Sequence, residues 1–149
     1  MIKMKDLTPE GKRFFQELEK LQKLEVKIGF QSGEADYEDG TDLVSVAAYN
    51  EFGDSNTPAR PFMKQSFEAN EDKLRKQGER SNIALSNGAS AEDVLKEFGV
   101  FAKGLIQEEI VEGGFAPNAP STVRRKGSDQ PLIDTGHMRQ SVNYVIKSR

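Results

Sequence analysis

The residues with the clearest chemical potential are Asp134, Thr135 and Gly136, which follow an apolar pair in PLIDTG, residues 131–136. An Asp in such a triplet can serve peptide hydrolysis when a second carboxylate shares its proton and the pair activates a water, as in aspartic proteases. A small chain would have to form a dimer to supply both carboxylates. The first question is therefore whether this carboxylate is catalytic or structural.

The position of the triplet favours a structural role. An aspartic protease needs a flap and further strands after this triplet, and here only residues 137–149 follow. The chain before Asp134 is predicted to be mostly helical, whereas that protease fold is almost entirely β. We therefore expect Asp134 or Thr135 to cap a short helix, with Gly136 permitting a tight turn.

The most distinctive constellation is NEFG followed closely by PARPF. Its candidate site residues are Asn50, Glu51, Phe52, Gly53, Pro58, Arg60, Pro61 and Phe62. As an active site it would offer one acid and one base without a nucleophile or a metal ligand. The structural alternative, which we expect, is an ion pair between Glu51 and Arg60, with Phe52 and Phe62 buried in the core. Such a pair contributes little stability if it is exposed.

Arg124, Arg125 and Lys126 form a basic run. This run could bind phosphate or an acidic partner surface, although a solvated face is the commoner role of such residues. The single His, His137, is expected on a helix surface and not as a catalytic base. The sequence contains no phosphate-binding glycine loop, no metal-ligand cluster and no nucleophile elbow.

Composition excludes several kinds of site. The 149 residues include no Cys and one His, which excludes disulfides, thiolate metal sites and multi-histidine metal sites within one chain. The formal charge of -3 argues against a protein that binds nucleic acid by neutralising phosphates. No apolar run is long enough to cross a bilayer. We expect one domain over residues 1–149, with no catalytic residue, cofactor or metal.

Hydrophobic periodicity predicts helices and two strands. The helices are expected at about 9–24, 43–52, 61–77 and 91–112, with short ones at 122–126 and from 134 or 135. Thr8 and Ser90 are the expected caps of the first and the longest helix. Alternation in LEVKIGF and in NYVIK predicts the strands, with Val142, Tyr144 and Ile146 on one face.

Three of these segments carry further expectations. In helix 43–52, Val44, Ala47, Ala48 and Phe52 are assigned to one side, and Gly53 is the expected C-terminal cap. Helix 61–77 is only partly apolar and is expected on the surface. In the longest helix, Gly99 and Gly104 indicate either close approach of another backbone or a tolerated defect.

Four blocks in a fixed order resemble a family of tailed-bacteriophage morphogenesis proteins, the tail-completion or minor tail group called HK97 gp10-like. The blocks are VKIGF at 26–30, AAYNEFG at 47–53, PARPFMKQSF at 58–67 and PLIDTGHMRQSVNYVI at 131–146. A segment between the last two blocks also matches, with Ile110, Gly113, Gly114, residues 116–122 and Lys126. The resemblance spans about residues 25–147, and the helix at 9–24 is an appendage to it.

The resemblance implies an α+β fold, in which a small antiparallel sheet packs against a long helix, with additional short helices and long loops. It implies a structural role in virion assembly at the phage neck or tail top, where the tail is completed and joined to the head. The expected partners are further copies of the chain in a ring, with the tail's sixfold symmetry, and the tail-terminator, tail-tube and head-closure or connector proteins. DNA would pass through without specific binding, and no membrane would be involved. The expected location is the virion, and the host cytoplasm during assembly.

Other functions stay open at this point. A tail-terminator protein capping the tail tube is the alternative within the same region of the virion, and an aspartic-type hydrolase using Asp134 is the alternative of another class. A binding module for a host protein is a third. The polar segments 31–41 and 114–121 are expected to become ordered at subunit contacts.

Overall fold

The computed structural model describes residues 3–32, 36–116, 118–126 and 136–149. After a 3-10 turn at Met4–Asp6, these ranges contain helices and two strands. In chain order the elements are α1 (Pro9–Gln22), β1 (Leu24–Gly29), α2 (Leu43–Phe52), α3 (Phe62–Ala69), α4 (Glu71–Ser86), α5 (Ala91–Glu112), α6 (Pro120–Lys126), α7 (His137–Gln140) and β2 (Asn143–Ser148).

The two strands form an antiparallel sheet that packs on α5. Val26 lies opposite Ile146. Ile28 lies opposite Tyr144 two positions further along, so the apolar residues of both strands share one face. Val142, next to β2, is fully buried and continues that face. The predicted α+β fold, with a small antiparallel sheet packed against a long helix, is confirmed.

α5 is the element against which most of the others pack, including α1, α3, α4 and both strands. Its 22 residues span roughly 33 Å. Ser90 caps it as predicted, because its Oγ accepts a hydrogen bond from the backbone N–H of Asp93 at 3.1 Å. The core beside α5 draws on four helices and the residue before β2. Its buried members are Leu43, Ala47, Phe62, Ile106, Ile110, Met138 and Val142.

Two other helix starts also follow local chemistry. Thr8 caps α1 as predicted, accepting from the N–H of Gly11 at 3.1 Å, with Pro9 in the first helical position. Asp42, which the sequence analysis did not single out, caps α2 by accepting from the N–H groups of Val44 and Ser45. The hydroxyl of Ser45 is the main cause that lowers the pKa of Asp42 below its ordinary value. α1 ends two residues earlier than expected because Leu24 enters β1.

The prediction of one helix over 61–77 is wrong. The chain forms two helices there, α3 and α4, which meet at Asn70, and α4 continues to Ser86. The side chain of Asn70 donates to the carbonyl of Ser66 at 2.7 Å, and this local bond competes with a continuous helix. α3 is also not a surface helix, since Phe62 and Ser66 are fully buried.

The face assigned to α2 is wrong as well. Leu43 and Ala47 are its buried residues, whereas Ala48 and Phe52 are exposed. α2 carries apolar residues on every side, so its periodicity does not indicate which side turns inward. Its extent, 43–52, is as predicted, and Gly53 ends it with a positive φ of 68°.

The two segments expected to order at subunit contacts are already held within the subunit, in their described parts. The carboxylate of Asp36 accepts from the N–H of Leu43 at 3.2 Å, and the N–H of Tyr37 donates to Thr41 O at 3.0 Å. In the second segment, Phe115 packs against the core. These contacts help to hold residues 36–41 and Phe115 within one subunit, and ordering at subunit contacts stays a prediction.

Glu17 joins α1 to the start of α5. This buried side chain accepts from the N–H of Ala91, the first residue of α5, at 2.8 Å, and from the Lys20 ammonium at 3.2 Å. The Ala91 bond is the main cause that lowers the pKa of Glu17, and Lys20 lowers it further. The carboxylate thus satisfies an N–H at the helix start that has no partner within the helix.

We expect this bond to make stability depend on pH. A lowered pKa in the folded state means that the stabilisation is fully present above the ordinary value of 4.5 and is lost as pH falls through the folded value. Thermal melts of the wild type and Glu17→Gln, taken from about pH 7 to about pH 3, should show a wild-type advantage that shrinks below the ordinary value. Glu19→Gln removes the same charge from an exposed position of α1 and is the control. An advantage that stays constant over the whole range would contradict this role of Glu17.

Candidate functional site

The NEFG–PARPF turn, residues 50–62, joins α2 to α3 through a tight backbone path. Asp54 accepts from the N–H groups of Asn56 and Thr57, both at 2.8 Å, and closes the turn. At Gly53 a Cβ atom would lie 2.6 Å from the N of Ala59 and 2.7 Å from Thr57 O. Glycine is therefore required there by its positive φ and by the neighbouring backbone.

Glu51 caps α3 from outside that helix. Its Oε2 accepts from the N–H of Met63 at 2.9 Å, and its Oε1 accepts from the N–H of Lys64 at 3.1 Å. α3 needs this cap because Pro61, at its N-cap position, has no side chain that can accept a hydrogen bond. The carboxylate also lies favourably at the positive end of the helix dipole.

Glu51 and Arg60 both lie within the described residues, and they do not form the predicted ion pair. Arg60 is buried, and its Nε donates to the carbonyl of Ala116 at 2.8 Å. Its backbone N–H donates to Asn50 O at 2.6 Å. Arg60 therefore joins the NEFG–PARPF turn to the segment after α5, a contact across 56 residues that local spacing does not reveal.

The two phenylalanines of the turn have opposite environments. Phe62 is 0% exposed, and its ring meets that of Phe30 edge-on with centroids 6.0 Å apart. Phe52 is 79% exposed, so the expectation that it is buried is wrong. Phe52 lies five residues after the buried Ala47, and at about 100° per residue this places it on the other side of α2, away from the core. Pro58 is exposed as well, and Pro61 is half-buried.

Phe52 belongs to a continuous exposed stripe, which we call the α2 outer face. The stripe consists of Ser45, Ala48, Tyr49 and Phe52, whose spacing of three, four and seven residues places them on one side of the helix. Tyr49 is 61% exposed and was missed by the sequence analysis. The sequence did carry a signal for it, because α2 has apolar residues on all sides. A helix that packs on one face only needs apolar residues on that face alone, so the others are left exposed.

The PLIDTG triplet is described only at its last residue. Gly136 occupies the N-cap position of α7 with φ of 76°, in agreement with the predicted tight turn. Asp134 and Thr135 lie outside the described residues, so their predicted capping role stays a prediction. α7 begins at His137, later than expected. His137 is half-buried, and the centroid of its ring lies 4.7 Å from that of the Tyr37 ring.

The basic run forms the last three residues of α6. Arg124 and Arg125 are exposed, and neither makes an ion pair within the part of the chain that the structure describes. α6 has no extensive packing contact with another described helix or strand. The two arginines, which we call the α6 arginines, therefore face solvent.

The described residues hold no group of three or more His, Cys, Asp or Glu side chains arranged to bind a metal ion. No helix in those same ranges combines the length and apolar character needed to span a membrane. The distinctive charged residues of the NEFG–PARPF turn, Glu51 and Arg60, are engaged by backbone groups. The site is thus built to fix a turn and to present the α2 outer face.

Comparison with known proteins returned no matching family model, curated protein or solved structure.

Proposed function

We propose that this chain is a structural virion-assembly protein at the neck or tail top of a tailed bacteriophage. In this role it completes the tail and helps to join it to the head. It acts in the virion after assembly in the host cytoplasm, and it carries out no catalysis.

The observation that supports this proposal is that the blocks of the resemblance meet in space. The VKIG part of the first block lies in β1 and pairs with the NYVI part of the last block in β2, from Val26 opposite Ile146 to Gly29 opposite Asn143. AAYNEFG and PARPFMKQSF are joined through the carboxylate of Glu51 and the backbone of Asn50. Segments that are distant in sequence thus build one structural unit, as expected if the blocks specify a common fold.

The engagement of the charged residues supports a structural role over an enzymatic one. Both carboxylate oxygens of Glu51 accept hydrogen bonds from backbone N–H groups at the start of α3. Arg60 is buried, and its side chain donates to the carbonyl of Ala116. A catalytic acid or base needs access to a substrate proton. These residues instead hold the turn, which positions the α2 outer face.

A neck protein works within a ring, because the portal vertex and the tail tube have rotational symmetry and closed rings do not grow further. We propose that copies of this chain form such a ring in the virion, with the sixfold symmetry of the tail. Its other partners are the tail-terminator or tail-tube protein on one side and the head-closure or connector proteins on the other.

Deletion of the gene from the phage or prophage tests the proposal. We expect filled heads, separate tails and no infectious particles by electron microscopy and plaque assay, with rescue by the wild-type gene supplied on a plasmid. Normal plaques, or virions without this protein by mass spectrometry, would contradict the neck assignment. Overlong tails would favour the tail-terminator alternative, because an uncapped tube continues to polymerise. Pepstatin-sensitive peptide cleavage by the pure protein would favour the hydrolase alternative.

A further inference from the structure

The α2 outer face is unusual in its surroundings as well as in its exposure. Tyr49 and Phe52 are 61% and 79% exposed and lie one turn apart. Exposed carboxylates stand at both ends of the helix, Asp42 before it and Asp54 after it. α2 has ten residues, so this aromatic surface with acidic ends is about 15 Å long.

Charge is segregated along the sequence, and the stretch that contains this face is acidic. Between Ile28 and Ala59 there are seven acidic residues and no Lys or Arg. From Asn118 to Arg149 there are six Lys or Arg residues and two acidic ones. Among the described residues, neither Asp42 nor Asp54 takes part in an ion pair.

The chemistry that fits an aromatic face with acidic ends is a pair of guanidinium groups. Arginine stacks on Tyr and Phe rings and pairs with carboxylates through its planar donors. The α6 arginines have this character, because Arg124 and Arg125 are adjacent, exposed and free of ion pairs in the described part of the chain. Exposed Ala119 and Pro120 beside them add apolar surface.

We propose that the α2 outer face of one copy of the chain binds the α6 arginines of the next copy. The contact is head-to-tail, since the two surfaces differ. A symmetric contact of two α2 outer faces would bring like charges together at both ends of the helix, which is unfavourable. Repeated head-to-tail contacts generate a ring when the rotation between copies closes.

This inference deepens the proposed function and rests on it only for the closed ring as the final assembly. The contact itself can be measured on the pure protein, without a phage. A failed contact would leave the virion assignment standing, and a normal plaque count from the deletion would leave the contact standing.

Two variants separate the two halves of the contact. Tyr49→Ser with Phe52→Ser removes the aromatic half, and Arg124→Glu with Arg125→Glu removes the cationic half. All four positions are exposed, so thermal melts should be unchanged. Ile83→Ser is the matched control, since Ile83 is also 61% exposed but lies on α4.

Sedimentation equilibrium over a rising concentration series is the measurement. We expect the wild type and Ile83→Ser to associate beyond dimers, and each double variant alone to associate at least about tenfold more weakly. An equimolar mixture of the two double variants should form dimers and stop there, because each copy retains the half that the other lacks. A wild type that stays monomeric at the highest concentration, a mixture that stays monomeric, or equal loss in Ile83→Ser would overturn the proposal.

Discussion

Phe62→Ala is expected to lower the free energy of unfolding by about 3–5 kcal/mol, the range for removing a fully buried Phe side chain. Phe62 is 0% exposed and lies in the core cluster with Leu43, Ile106 and Ile110. Its ring also loses the edge-on contact with Phe30. Urea unfolding followed by circular dichroism, with a shared slope for wild type and variant, measures the change.

Phe52→Ala is the matched control within the same turn. Phe52 is 79% exposed, so its removal should change the free energy of unfolding by no more than about 0.5 kcal/mol. Equal destabilisation by the two substitutions would mean that Phe52 is packed in the folded protein. A stable Phe62→Ala variant would mean that the α2–α3 region does not share the core around α5.

Gly99→Ala is expected to destabilise the protein by up to about 2 kcal/mol, even though alanine favours helix. A Cβ atom at Gly99 would lie 2.6 Å from both Cγ and Cδ2 of Tyr144. Cγ is close to the backbone of β2, so the ring cannot avoid this contact by rotating its far end. Overpacking of this kind costs about 1–3 kcal/mol, and the gain in helix propensity of about 1 kcal/mol offsets part of it.

Gly104→Ala provides the control in the same helix. Nothing lies within 4 Å of a Cβ atom at Gly104, so this variant should be more stable than the wild type by up to about 1 kcal/mol. Combining Gly99→Ala with Tyr144→Ala removes the obstructing ring, and in that background Gly99→Ala should no longer destabilise. Thermal and urea unfolding of the wild type, Gly99→Ala, Tyr144→Ala and the double variant form a double-mutant cycle. Destabilisation by Gly99→Ala that persists without the Tyr144 ring would contradict this explanation.

The glycine pair illustrates what a local pattern leaves undecided. The sequence analysis offered two explanations for glycines inside a helix, close approach of another backbone or a tolerated defect. At Gly99 the approach is real but comes from the ring of Tyr144, and at Gly104 the neighbouring space is open. Helical propensity is the same at both positions, so only the placement of β2 against α5 separates them.

The candidate site was predictable in its location and not in its contacts. The sequence singled out the NEFG–PARPF turn, and the buried Phe62 and the cap at Gly53 follow the expectation. The acceptor role of Glu51 toward Met63 and Lys64 was not predicted, because opposite charges close in sequence suggested an ion pair. The backbone N–H groups at the start of α3 attract the carboxylate more strongly, since they otherwise lack partners behind the proline at the N-cap position.

The sequence by itself determined the elements whose causes are local. The N-caps at Thr8 and Ser90, the alternation in both strands and the long apolar stripe of α5 all act over a few residues, and each appears where it was predicted. Only the tertiary structure decided which side of α2 turned inward. Apolar residues surround that helix, so burial of Leu43 and Ala47 against Ile106 and Val142 fixed the choice and left Tyr49 and Phe52 in solvent. The contact of Arg60 with Ala116 belongs to the same class, because its two groups are brought together by the packing of α3 on α5 and not by their separation along the chain.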